Sequence, residues 1–214
     1  MRATRLIFVR HGESNVTVEQ IVGGARSCTG LSPLGVRQAV ALRDRLARES
    51  VAVDVLLSST LPRARETTEV IQPVLGAGIT FVEDLEEQRP GAADGCPFVD
   101  FDARFGMFDF RAEPDRPMAP GGESLREFHE RVARTLREIE ADYAGLTVMA
   151  VCHGGVIDVA FREYLSIGLA GEFDLWTLNT SLTEFHFTHR QPRPQLRRYN
   201  DAAHIADLPP KTEL

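Results

Sequence analysis

Two apolar runs in this chain stop at a histidine followed by a glycine: Leu6-Ile7-Phe8-Val9 leads into Arg10-His11-Gly12, and residues 147–152 lead into His153-Gly154. Short apolar runs bounded in this way read as buried strands. A parallel sheet gathers the carboxyl ends of its strands along one edge, and ligands bind in the crevice outside them. A third run, residues 54–58, ends shortly before Arg63. Such a sheet brings Arg10, His11, Arg63 and His153 towards one place.

These side chains suit phosphoryl groups. Guanidinium forks match phosphate oxygens and stay charged, while a neutral imidazole can attack phosphorus or donate a hydrogen bond. Together they point to phosphoryl chemistry without a metal ion. No aspartate cluster stands beside them to hold magnesium, and Cys28, Cys96 and Cys152 fit neither a disulfide framework nor zinc spacing. No metal and no cofactor are expected.

With 214 residues the chain is long enough for a three-layer α/β sandwich, a mixed and mostly parallel sheet of about six strands with helices on both faces. It reads as a single domain over residues 1–214. A net charge of −7 and the lack of a basic cluster argue against nucleic acid as a partner. The apolar stretch after Met1 is too short for a signal core or a membrane span, so a cytoplasmic location without membrane contact is expected.

Between the strands, residues 13–32 read as a long loop. Ser32-Pro33 offers a cap and a first helical position for a helix over 34–48, with Val36, Ala39, Val40, Leu42 and Leu46 inward. A helix over 63–74 ends around Pro73, and a short strand over 79–82 precedes Leu85-Glu86-Glu87. Residues 91–122 lack a clean period and carry five prolines if Pro90 at the border is included, so a lid or cap segment is placed there. Phe98, Phe101, Phe105, Phe108 and Phe110 within it are read as a small satellite core in preference to substrate contacts.

Ser124-Leu-Arg-Glu127 is a capping-box pattern, and Leu125, Phe128, Val132, Leu136, Ile139 and Tyr143 then recur at helical spacing up to Gly145. A helix over 155–165 starts beside His153, and a helix amino terminus favours an anion. Residues 182–188 and 195–199 form a late antiparallel hairpin, and the tail from 201 to 214 is expected to be loosely ordered.

The ordered blocks Val9-Arg10-His11-Gly12-Glu13-Ser14, Leu31-Ser-Pro-Leu-Gly35 with Gln38-Ala39, Ser58-Ser59-Thr60-Leu61-Pro62-Arg63-Ala64 with Thr67, Leu85-Glu86-Glu87 with Gly91 and Gly95, and Val151-Cys152-His153-Gly154-Gly155 resemble the histidine phosphatase superfamily, in the branch that includes cofactor-dependent phosphoglycerate mutases. The resemblance implies that His11 is the nucleophile that becomes a phosphohistidine. It implies that Arg10 and Arg63 clamp phosphate oxygens, that His153 completes the pocket and that Glu87, selected over Glu86 by the family spacing, donates the proton. The family often has asparagine six residues after the nucleophile, where this chain has Thr17; Asn15 is the other candidate for that phosphate contact. Glu13 and Ser14 are left as supporting residues, and Asn179-Thr180-Ser181 and Gly121-Gly122-Glu123-Ser124 as structural turns.

The expected activity is metal-independent hydrolysis of a small-molecule phosphomonoester, with broad specificity extending to substrates with apolar surface. A mutase-type phosphotransferase and a non-catalytic phospho-ligand binder are the alternatives, and a homodimer is compatible with either. The 66 positions from Glu87 to His153 are fewer than the mutase branch leads one to expect. A Rossmann dinucleotide enzyme is disfavoured, because Arg10-His11-Gly12 lacks the required glycine spacing.

Overall fold

The computed structural model describes residues 2–169, 173–188 and 193–208. Strands β1 (Thr4–Arg10), β2 (Val55–Ser59), β3 (Ile79–Val82), β4 (Thr147–Cys152), β5 (Leu182–Phe187) and β6 (Gln195–Asp201) form one sheet in the order β3-β2-β4-β1-β5-β6. The first four positions are parallel, and β5 and β6 join antiparallel. The mixed sheet is the expected one. The helices are α1 (Asn15–Val18), α2 (Pro33–Arg48), α3 (Pro62–Ile71), α4 (Phe98–Phe105), α5 (Leu125–Asp142) and α6 (Gly154–Tyr164).

Alternation of side chains along the strands sets the three layers. Leu6, Phe8, Val148 and Ala150 pack with Val132 and Leu136 of α5 and Ile157 and Ala160 of α6. Ile7, Val9, Met149 and Val151 point the other way, onto Leu42 and Leu46 of α2 and Ala64 and Ile71 of α3. Both faces of the central strands are covered, which is why their sequences are continuously apolar. α5 begins with the full capping box: the Ser124 hydroxyl accepts from Glu127 N–H and the Glu127 carboxylate accepts from Ser124 N–H. A cap of this kind contributes about 1 kcal/mol.

Several expectations are corrected. The loop over 13–32 contains α1, and Ser14 pairs with Leu31 as an isolated bridge that folds the loop back on itself. Val36, expected inward, is 44% exposed, because only positions such as Ala39, Leu42 and Leu46 of α2 face the sheet. The helix over 63–74 starts at Pro62, ends at Ile71 and continues as one 3-10 turn, Gln72–Val74, in which Pro73 has no N–H to extend it.

The five phenylalanines form no buried satellite core. Four of them make tilted ring pairs, Phe101–Phe105 at 5.4 Å and Phe108–Phe110 at 4.4 Å, while none of the residues of α4 is buried. The tail is not loose at its start. Asp201 ends β6 and accepts two bonds from Arg45 of α2, and His204, in a 3-10 turn over Ala203–Ile205, bonds to the Thr180 hydroxyl. The rest of the tail, residues 209–214, and most of the hairpin turn, residues 189–192, lie outside the described residues. Among the described residues no helix is long and apolar enough to cross a membrane.

Candidate active site

The register of β1 against β4 places Arg10 opposite Cys152, so the next residues, His11 and His153, leave the sheet side by side. The His11 amide donates to the Cys152 carbonyl at 3.0 Å, and the two imidazole rings stand 5.0 Å apart. β2 is the other neighbour of β4. Its last residue, Ser59, lies beside His153, and α3 starts three residues later with Arg63 in its first turn.

Arg63 Nε–H is directed at both rings, 3.1 Å from His11 Nε2 and 3.3 Å from His153 Nδ1. A guanidinium only donates, so both of these ring nitrogens accept. The proton of His11 is then on Nδ1, which donates to the Gly12 carbonyl at 2.6 Å. His153 carries its proton on Nε2, which donates to the Ser59 hydroxyl at 2.8 Å. Both rings are neutral, and the Nε2 lone pair of His11 faces the guanidinium side of the site. Electrostatics agree with this. Burial, followed by the Arg63 and Arg10 charges, holds the His11 imidazole well below its ordinary pKa, and burial and Arg63 do the same for His153.

Arg10 donates from Nη1 to the Thr177 carbonyl, while its Nε is buried with no hydrogen-bond partner. Glu87 stands at the start of α6: its Oε2 accepts from Gly155 N–H at 3.0 Å and its Oε1 from Gln88 N–H at 3.1 Å. A Cβ on Gly155 would lie 2.2 Å from Glu87 Oε1, so the close approach needs glycine. Glu86 turns elsewhere, to the Thr60 hydroxyl and Arg89. The structure thus brings Arg10, His11, Arg63, His153 and Glu87 together and leaves Glu86 in another network.

Asn15 and Thr17 are engaged locally, Asn15 Nδ2 with the Thr29 hydroxyl at 3.1 Å and Thr17 with the Ser14 hydroxyl at 3.0 Å. Glu13 accepts from Ser32, and Gln38 and Thr67 accept from the Glu13 and Gly12 amides, which ties the loop after β1 to α2 and α3. Asn179 does more than turn the chain: its Nδ2 donates to the His11 carbonyl at 2.9 Å. Sequence reasoning quoted Ser59, Thr67 and Asn179 in motifs without these roles. It gave no sign of Thr177, whose part is played by a backbone carbonyl.

A cavity of about 360 Å³ opens beside Glu87, with Arg26, Arg89, Glu83, Glu86 and Asp94 in its wall. Gly91, Asp94 and Gly121, from both ends of the segment over 91–122, line it, and none of its phenylalanines does. Among the described residues no group of three or more His, Cys, Asp and Glu could hold a metal ion.

The model of the histidine phosphatase superfamily (branch 1) matches residues 6–202. A metal-independent phosphoserine phosphatase of Arabidopsis thaliana is 27% identical over 210 residues, covering 96% of this chain and 84% of that protein. A 2,3-bisphosphoglycerate-dependent phosphoglycerate mutase of Methylobacterium sp. is 30% identical over 182 residues, covering 80% of this chain and 86% of that protein. Among solved structures, a mycobacterial glucosyl-3-phosphoglycerate phosphatase superposes with a TM-score of 0.77 at 25% identity, covering 94% of this chain and 100% of that one. The paired strand-end histidines, their shared arginine and a family match over nearly the whole chain agree: it belongs to branch 1 of the histidine phosphatase superfamily and is a histidine phosphatase.

Proposed function

We propose that the chain is a single-domain, metal-independent phosphomonoester hydrolase of broad specificity that works through a phosphohistidine on His11. The observation that carries this reading is the pair of neutral histidines sharing Arg63 Nε, with the His11 lone pair on Nε2 and its proton held by the Gly12 carbonyl. A phosphate dianion repels nucleophiles and its alkoxide leaves poorly, so the site must neutralise charge and supply a proton. Arg10 and Arg63 meet the first need, while His153, neutral and with its N–H on Ser59, takes part through its contact with Arg63. An entering phosphoryl group takes over the Arg63 Nε–H and frees the His11 lone pair.

In the first half-reaction His11 Nε2 forms a bond to phosphorus while the bond from phosphorus to the leaving oxygen breaks, and that oxygen takes the proton of the Glu87 carboxyl. In the second, water attacks phosphorus, the Nε2–phosphorus bond breaks and the Glu87 carboxylate takes the water's proton. Phosphate is released and both residues return to their starting states.

The cavity wall favours hydrolysis over mutase transfer. Its two arginines are already paired, Arg26 with Asp94 and Arg89 with Glu83 and Glu86, and carboxylates outnumber them, which disfavours a second phosphate. Because these groups are bonded to one another, the leaving group meets few fixed donors, in keeping with broad specificity. Asn15 and Thr17 remain the candidates for an additional phosphate contact.

The test is rapid mixing with 4-nitrophenyl phosphate in the presence of a chelator, an acid-stability check and intact-protein mass, comparing wild type with His11→Ala. The expected result is an acid-labile phosphate adduct and turnover in wild type only. Full turnover in His11→Ala, or loss of wild-type turnover on chelation, would overturn the reading.

A further inference from the structure

Arg10 is aimed by a single backbone carbonyl, that of Thr177. Residues 173–178 form neither helix nor strand, so no ladder of backbone bonds fixes that carbonyl. Thr177 is nevertheless buried. Side chains at the end of β6 hold it: the Tyr199 hydroxyl donates to the Trp176 carbonyl at 2.9 Å, and Asn200 grips both sides of Thr177. Asn200 Oδ1 accepts from Leu178 N–H at 2.6 Å, and its Nδ2 donates to the Trp176 carbonyl at 3.0 Å. One amide therefore spans Thr177 from both sides. Asparagine also suits the backbone here, since residue 200 has φ +51°, in the left-handed region that asparagine and glycine tolerate best.

We propose that Asn200 is a positioning residue for Arg10: by clamping the peptide units on both sides of Thr177, it holds the carbonyl that anchors one end of the guanidinium and leaves the rest of the fork for the phosphoryl group. The inference rests on the reading of Arg10 as a phosphate ligand. The unpartnered Arg10 Nε, beside Gly154 at the start of α6, is the donor that the clamp keeps directed into the site. Without the clamp, residues 176–178 lose two bonds and keep only the Tyr199 hydroxyl on the Trp176 carbonyl, so the reference point of Arg10 loosens, though its charge is unchanged. The nearby turn is fixed separately, by Asn179 on the His11 carbonyl and by Thr180 N–H on the Arg10 carbonyl, so the nucleophile should stay in place when the clamp is removed.

The experiment is calorimetric titration with inorganic phosphate of wild type, Asn200→Gly, Asn200→Asp, Arg10→Ala and the double variant Arg10→Ala/Asn200→Gly, with thermal midpoints recorded for each. Asn200→Gly keeps the left-handed backbone and deletes both bonds. Asn200→Asp keeps the acceptor for Leu178 N–H and loses only the donor, so it remains informative if the glycine variant does not fold. Asn200→Gly is expected to weaken phosphate binding about tenfold, equivalent to about 1.4 kcal/mol, and Asn200→Asp to weaken it less. In the Arg10→Ala background the Asn200 substitution should add nothing, since its effect travels through Arg10. A merely structural role would lower the thermal midpoint while leaving phosphate affinity unchanged.

Unchanged affinity in folded Asn200→Gly or Asn200→Asp, or an equal loss in the Arg10→Ala background, would overturn the proposal, as would a wild type that binds no phosphate. Phosphate affinity does not depend on the covalent step. A protein that binds phosphate normally but forms no His11 adduct therefore counts against the catalytic reading alone.

Discussion

At the scale of single residues, function here depends on which lone pairs and protons face the site. Arg63 can only donate, and this one fact fixes the tautomers of two buried histidines. Glu86 and Glu87 are adjacent in sequence and equal in chemistry, yet only Glu87 reaches the amide beside His153. If Glu87 supplies the proton to the leaving oxygen, Glu87→Gln should depend on the leaving group. With an alkyl phosphate, kcat should fall by about 10² to 10⁴, the usual range for loss of a general acid, and the fall in adduct formation with 4-nitrophenyl phosphate should be much smaller. Stopped-flow measurement of the two substrates checks this, and equal losses would remove Glu87 from the role.

At the scale of elements, two glycines show how closely the pieces approach. A Cβ on Gly155, at the start of α6, would meet Glu87 Oε1 at 2.2 Å, and that carboxylate sits on a flexible side chain. A Cβ on Gly35, in the first turn of α2, would meet the Glu13 backbone carbonyl oxygen at 1.9 Å, which no side-chain rotation relieves. Gly155→Ala should therefore fold with a modest drop in thermal midpoint, since its Cβ also meets the buried Phe128 ring at 3.0 Å while alanine's better helix propensity offsets part of that, and lose activity as Glu87 is displaced. Gly35→Ala should lose several degrees or fail to fold, with a cost on the order of 2–3 kcal/mol from overpacking. Calorimetric melting alongside turnover separates the two, and a stable Gly35→Ala protein would refute the close-packed junction.

At the scale of the whole molecule, two buried histidines are held neutral and two half-buried ones are shifted the same way. Burial lowers His11, His153 and His129, and His204 is brought to about 4, again chiefly by burial and then by Arg45. The unfolded chain protonates His11 and His153 below about 6.5 and the folded protein resists doing so, so the unfolded state binds more protons there, with His129 and His204 adding smaller, solvent-screened contributions of the same sign. Stability is therefore greatest above that pH and falls as the pH drops, by up to about 1.4 kcal/mol per pH unit for each of the two buried rings. The His204 contribution stops growing near its own value of about 4. Asp201, lowered to about 2 chiefly by its hydrogen bonds with Arg45, keeps its contribution until more acid conditions. Urea unfolding at pH 7, 6 and 5 should give a falling free energy with a slope steeper than one ring can supply, and a flat profile would contradict the neutral core.

The sequence by itself determined the strand ends, the capped α5 and the identity of the reacting side chains, because each is written in local pattern: apolar runs that stop at Arg10-His11 and His153, and Ser124 three residues before Glu127. It did not contain the reason for Glu87 over Glu86, the tautomers of the two histidines, the Thr177 carbonyl under Arg10 or the anchoring of the tail by Arg45. Those depend on β1 lying beside β4 in one register, on β2 closing the other flank and on β6 returning Asn200 and Asp201 to the core. Register and strand order arise from contacts between residues far apart in the chain, and backbone carbonyls leave no mark in the sequence, so only the tertiary structure could decide them.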